Sequence, residues 1–520
     1  MTKPAPSARS RGEDTMRGAV TVREAAPPAP AQSVPRAWPF AAYSREEGLL
    51  HGLPAELKLL VFARLDANEL GALSCTGHDL RRQTEGLWAT VFERRWATSR
   101  VSACNCFAAT SGGHAGAGCG GVKWPALHGQ MEAAERAFLS DLPLRWQTLP
   151  GRLPCEEGHV LQADIAVSRS LAAAVCSGSA FNTLHVWRGE VAPTPVDVVV
   201  VWHLPTATLL PPIVLPSDPA GQHAPVVRVH GDSLFLAEAG GVSVRAWAYG
   251  AAGSEPAREL VGHTAAVKAM SVDDRLVATG SSDCTARVWD RHSGAQRLAL
   301  AHAGAVLEVQ LVQSRLAAQS LRPGGGSSTT VWDAVTGAPV ATLDAWACLS
   351  PRGDRIYAQG DGWLAALGAR AGREEVRFAH SRERTAASSA LAVSDAYVLS
   401  AVTDDDSEED GWVVAAWRAA DGCFLGYLGP HPWEVECAAL VGDVAVCAGL
   451  DAEPACLLAW DLSKLAGGVA APPSRLQLDN PVLALGLAGP RLVVALSDGQ
   501  VRSADLGRCP AGKTRAAADA

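Results

Sequence analysis

One short phrase, a turn residue or two followed by an apolar run that ends near Gly or Ser, returns along the chain after about residue 150. It reads "SRSLAAAVCSG", "GDSLFLAEAGG", "DDRLVATGSSD", "QSRLAAQS", "GDRIYAQGDG", "SDAYVLSAV", "GDVAVCAG" and "GPRLVVALSDG". One apolar residue from each gives Leu171, Leu234, Leu276, Leu316, Ile356, Tyr397, Val444 and Leu492, separated by 63, 42, 40, 40, 41, 47 and 48 residues. A unit of that length, made of short strands, cannot cover its own apolar faces. It needs copies of itself as neighbours.

A second landmark keeps the same rhythm: an apolar strand ends in Trp, often with Asp after it and a Gly-containing turn beyond. It occurs at Trp202, Trp247, Trp289, Trp332, Trp417 and Trp460, while Leu367 and Ala504 hold the corresponding place in two units. This use of Trp explains why the chain has 16 Trp against 9 Phe and 5 Tyr. Short strands at a 40 to 45 residue period, with Gly-rich turns and no helical pattern, specify a mainly β fold built as a β-propeller. The count favours eight blades, although the first unit is enlarged and the fifth is short. Seven blades plus a stray hairpin is the alternative.

The unit from Leu260 to Gly294, "LVGHTAAVKAMSVDDRLVATGSSDCTARVWDRHSG", resembles a WD repeat: Gly262-His263 opens it, Asp283 sits in a turn, and Trp289-Asp290 closes it. The resemblance implies a buried structural network of His263, Asp283 and Trp289. Buried imidazole and carboxylate groups need hydrogen-bond partners in any case.

Ahead of the repeats, "LPAELKLLVFARLDANELGALSCTGHDLRRQTEGLWATVFERRW" runs from Leu53 to Trp96. Pro54 and Glu56 suit a first helical turn. Leu57, Leu60, Val61 and Leu65 form one stripe at helical spacing, while Leu59 and Phe62 point elsewhere, so this helix has an apolar face to spare. The stretch resembles an F-box: Leu53, Pro54, Glu56 and Leu57 meet its opening pattern, and Glu69-Leu70, Leu73-Ser74-Cys75 and Leu87-Trp88 its later elements. The "TGHDL" segment departs from that family. The resemblance implies a small all-α domain over 49–96 that docks on a Skp-type adaptor and through it on a cullin. Leu53, Pro54, Glu56, Leu57, Leu60, Val61, Leu65, Leu70, Leu80 and Trp88 are then the adaptor-binding residues. An F-box followed by a WD-repeat propeller implies the substrate receptor of an SCF ubiquitin ligase, with a target protein held on the propeller. A propeller scaffold without a ligase role is the alternative.

The expected organisation is a disordered tail over 1–45, the helical domain, a Gly/Ala-rich linker plus helix over 97–150, the propeller over 151–507, and a disordered tail over 508–520. The N-terminal tail is also open to reading as a transit peptide, against which stand Glu13, Asp14 and Glu24.

Composition removes other functions. A net charge of -9 without a long Lys/Arg run argues against nucleic acid. No apolar run reaches the roughly 18 residues that span a bilayer. The 13 cysteines are scattered and odd in number, which fits thiols of a reducing compartment, cytoplasmic or nuclear. Cys104, Cys106, His114 and Cys119 match no paired zinc pattern, and Gly116, Gly118 and Gly121 satisfy G-x-G-x-x-G without a preceding strand. No cofactor or metal is expected. Catalytic motifs such as G-x-S-x-G and H-E-x-x-H are missing from the sequence, so the expected role is non-catalytic. The run "DDDSEED" over 404–410 reads as a solvated turn, or makes Ser407 a phosphorylation site for an acid-directed kinase.

Overall fold

The computed structural model describes residues 124–139, 144–153, 163–176, 196–216, 224–249, 256–323, 325–360, 363–368, 374–378, 392–402, 412–431, 437–448, 456–465, 468–469 and 473–506. The expected F-box-like region, both tails and the acidic run with Ser407 lie outside them.

The repeats build an eight-bladed β-propeller. Blades 1 to 8 cover residues 163–216, 226–261, 267–301, 306–343, 346–378, 392–431, 437–477 and 482–505, and each places strands a, b and c in sequence order as hydrogen-bonded neighbours. Every residue read from the repeated phrase lies on a strand b, and every residue of the Trp landmark on a strand c. Alternate side chains of these strands point to opposite sheet faces. Val277 therefore packs with blade 2 residues such as Phe235 and Val244, while the adjacent Ala278 packs with blade 4 residues such as Leu311 and Leu316. Eight such clusters fill the blade-to-blade junctions, and Trp202, Trp289 and Trp417 are the largest fully buried side chains in them.

Two turn designs join strands a and b. Ser168, Asp273 and Ser394 each receive a backbone N–H from the third residue onward, Leu171, Leu276 and Tyr397, on the side-chain oxygen. Gly231, Gln313, Gly442 and Gly489 instead take φ between 54° and 59° in a shorter turn, while blade 5 has a longer connection in which Ser350 Oγ accepts the Arg355 N–H. The first design moves the phrase by one position. Leu234, Leu316, Ile356 and Leu492 face Trp247, Trp332, Leu367 and Ala504 across the b–c pair, whereas Trp289 faces Val277, one residue past Leu276. The Asp after the landmark Trp builds the c–d turn. Asp290 Oδ1 accepts the N–H groups of His292 (3.0 Å) and Ser293 (2.8 Å), and Asp333 Oδ1 those of Val335 (3.1 Å) and Thr336 (2.9 Å). Gly294 and Gly337 complete these turns at φ 75°.

The ring closes through a strand from ahead of the first repeat. Trp146–Thr148 supplies the outer strand of blade 8, pairing antiparallel with 502–504. The chain stays on that blade through Leu149 N–H to Val501 O (2.9 Å) and Leu153 N–H to Gly499 O (2.8 Å). Trp202 of blade 1 then donates to Pro150 O at 2.7 Å. Just before this strand, helix α1 (Trp124–Phe138) lays Met131, Ala134, Ala137 and Phe138 on the junction of blades 7 and 8, beside Val444, Leu457, Leu492 and Leu506.

Two blades carry extra strands. Ile213–Pro216 adds to strand c of blade 1, and Gly468–Val469 pairs parallel with the outer strand of blade 6, Phe424–His431.

Removing residues 1–150 takes away both the closing strand and helix α1. The truncated chain is expected to lose its sharp thermal transition, read by circular dichroism, whereas removing 1–123 should leave it sharp.

Candidate interaction face

The b–c loops and the connections into each strand a share one end of the ring; the a–b and c–d turns share the other. Blade 3 shows how the first end is held. Asp283 in its b–c loop accepts from His263 Nδ1 at 2.8 Å, from the Thr264 N–H at 3.1 Å, and from the Thr285 N–H and hydroxyl at 2.9 and 2.6 Å. A carboxylate facing Nδ1 fixes the proton there, so Nε2 of the neutral ring is an acceptor. Thr279 supplies the donor: its hydroxyl donates to Nε2 at 2.7 Å and accepts Trp289 Nε1–H at 2.9 Å. His263 and Trp289 also meet edge to face, with ring centroids 6.2 Å apart. The three residues implied by the resemblance thus stand in one network, but its central hydroxyl is Thr279, a residue the sequence reading passed over. Its signal was available: Thr279 lies on the b strand two residues past the position opposite Trp289.

Burial is the main influence on His263 and lowers its pKa, with Asp283 acting in the opposite sense. Burial would raise that of Asp283, but hydrogen bonds from Thr285, His263 and Thr264 outweigh it and bring the carboxyl to about 2.

Blade 4 keeps the rings and loses the connector. His302 and Trp332 stand edge to face with centroids 5.7 Å apart, and Ala318 occupies the place of Thr279 two residues past the Trp partner Leu316. His302 Nε2 and Trp332 Nε1 are shut off from solvent without a protein hydrogen bond. Burial lowers the His302 pKa here too. In blade 8, Asp498 forms its own loop by accepting the Gln500 N–H at 2.9 Å.

The same end of the ring carries apolar surface. Val242 and Val261 of blade 2 are 45% and 68% exposed, and Leu307 and Leu321 of blade 4 are 41% and 44% exposed. Leu307 lies in a β-bulge between Val306 and Glu308, as Lys268 does in blade 3 and Leu483 in blade 8. Bulges turn a side chain out of the regular alternation. Next to Leu307, Glu308 accepts Trp346 Nε1–H from blade 5 at 3.0 Å. These features make a firm, partly apolar platform. Among the described residues no group of three or more His, Cys, Asp or Glu is placed to hold a metal ion.

The WD domain, G-beta repeat family matches residues 254–290, which contain the whole blade 3 network. No curated protein matches the chain by sequence. Among solved structures the chain is similar to the computationally designed Ika8 protein, with 18% identity and a TM-score of 0.49 over 68% of this chain and 99% of that one. A WD-repeat-type propeller is a platform for protein interactions. Of the residues singled out in the sequence, those of the F-box-like segment and Ser407 lie outside the described region.

Thr279→Val deletes the shared hydroxyl and leaves two buried ring nitrogens unsatisfied. The expected loss is about 2 kcal/mol, seen as a lower urea midpoint at unchanged slope. Ala318→Thr supplies the corresponding hydroxyl in blade 4 and should stabilise by about 1 kcal/mol in the same measurement.

Both shifted groups bind protons more weakly folded than unfolded, so acid favours the unfolded chain. The His263 contribution is complete above its unfolded pKa of 6.5 and declines as pH falls below it. The Asp283 contribution declines as pH falls from 3.8 toward about 2 and, for a side chain 5% exposed, is worth roughly 2 kcal/mol. Asp283→Asn is expected to remove this last decline from melting curves recorded across pH.

Proposed function

We propose that this chain is a non-catalytic receptor subunit of an SCF-type ubiquitin ligase, with the F-box-like segment holding a Skp-type adaptor and the propeller holding a target protein. The observation that carries the propeller half is the apolar platform of Val242, Val261, Leu307 and Leu321. Apolar side chains exposed at one end of the ring give a partner protein surface to cover. The blade 3 network keeps the intervening loops in place.

The ligase half is supported by sequence: Leu53, Pro54, Glu56 and Leu57 open an F-box-like pattern ahead of a propeller, and beside the stripe of Leu57, Leu60, Val61 and Leu65 that helix carries Leu59 and Phe62 on another side, more than one internal core uses. Two apolar faces call for two partners. The mechanism is positional. A target held on the propeller, beside a conjugating enzyme recruited through adaptor and cullin, has its lysines at a raised effective concentration.

Changing Leu57 and Leu60 together to Ser is expected to abolish co-precipitation of a Skp-type adaptor and cullin, since interface energy concentrates in a few buried anchors of about 2 kcal/mol or more each. Limited proteolysis should show an unaltered propeller in the same variant. A wild-type chain that brings down neither adaptor nor cullin overturns the ligase reading and leaves a propeller scaffold.

A further inference from the structure

At the opposite end of the ring, where the a–b and c–d turns lie, a cavity of about 40 Å³ opens between blades 2 and 3. Ser233, Trp247, Arg258, Arg291 and His292 are among the residues that line it. They come from separate elements: Ser233 begins strand b of blade 2, Arg258 begins its strand d, and Arg291 and His292 form the c–d turn of blade 3.

Backbone carbonyls hold both guanidinium groups. Arg258 Nη1 donates to the carbonyls of Arg291 and His292, and Arg291 Nη1 to those of Asp274 (3.2 Å) and Asp273 (3.5 Å). Neither arginine is ion-paired with a carboxylate among the described residues. The acids near Arg291 have other partners as well: Asp274 meets His230 at 2.9 Å, and Asp273 Oδ1 accepts the N–H groups of Arg275 and Leu276 at 2.7 Å each. Asp274 and Asp273 act on Arg291 as opposite charges, and Arg258 acts on it as a like charge. Carbonyl anchors fix the positions of both guanidinium groups, and Ser233 brings to the same space a hydroxyl without a hydrogen bond among the described residues.

We propose that this cavity binds a single tetrahedral oxyanion, a phosphoryl group. One arginine fork is enough to grip a planar carboxylate. Here the donors come from three separate elements of two blades, which suits oxygens arranged on a tetrahedron. The volume exceeds the roughly 10–15 Å³ that one water needs in the same measure and admits a compact group. An anion between Arg258 and Arg291 would also bind the c–d turn of blade 3 to blade 2. Free phosphate and a phosphate ester present the same chemistry to the site.

The test uses the full chain, with thermal melts and isothermal titration against sodium orthophosphate, O-phosphoserine, sodium acetate and sodium chloride at equal ionic strength. Orthophosphate is expected to raise the melting temperature saturably while acetate and chloride do not. Saturation by O-phosphoserine alone supports the site with an ester as its source. Arg258→Gln should weaken binding roughly tenfold or more, as for loss of a charge-assisted hydrogen bond. Ser233→Ala, which disturbs no hydrogen bond among the described residues, should weaken it roughly threefold or more at an unchanged melting temperature without phosphate. The proposal falls if neither phosphate compound acts differently from chloride or if acetate matches them. It falls equally if Ser233→Ala binds as tightly as the wild type.

Discussion

Each blade is a sheet with apolar side chains on both faces, and no single blade can cover both. The whole architecture depends on that. A stack of such sheets would leave its two end faces wet, whereas a ring has no end faces. The neighbouring residues Val277 and Ala278, buried in different junctions, carry the requirement within a single strand. The ring must then be fastened somewhere. Trp146–Thr148 does so with only a three-residue register, reinforced by the bonds from Leu149 and Leu153 and by the burial of Phe138 on the neighbouring junction.

Polar groups complete what apolar packing begins. Blade 3 buries an imidazole, an indole and a carboxylate: the Thr279 hydroxyl partners both rings, while His263, Thr264 and Thr285 satisfy the carboxylate. Blade 4 has the same rings with alanine at the connector, and both nitrogens lack a protein partner. Both blades bring a histidine and a tryptophan ring together edge to face, and the residue two past the Trp partner, Thr279 or Ala318, distinguishes the blades. Apolar junctions fix where the strands go. The hydrogen-bonded network determines how firmly one set of loops is held.

Much of this was legible in the sequence because burial on both faces forces short apolar strands to recur. The phrase marked every strand b, the Trp landmark marked every strand c, and eight units became eight blades. Register was less legible. Phrases that follow the Ser168, Asp273 and Ser394 turns sit one residue early, and in blade 7 the repeat marks Val444 although its neighbour Ala445 faces Trp460. Closure could not be read, since a three-residue strand has too little pattern to show period two and its partner lies more than three hundred residues away in the chain. Thr279 escaped because one hydroxyl in an apolar run acquires meaning only from the two rings beside it. The oxyanion cavity has no motif, for its arginines belong to different blades.

The two-residue strand Gly468–Val469 has a protective consequence. The outermost strand of any blade presents a free edge to which a foreign strand could add. Most outer strands here resist such addition by themselves: Arg258–Val261, Gln296–Ala301, Glu374–Phe378 and Ser474–Gln477 contain charged residues, Pro339–Leu343 begins with proline, and Trp146–Thr148 is very short. Phe424–His431, the eight-residue outer strand of blade 6, contains no Lys, Arg, Asp or Glu. It is also the outer strand that receives a parallel cover from blade 7. The short strand therefore acts as a guard against aggregation at the edge where charge and length give least protection.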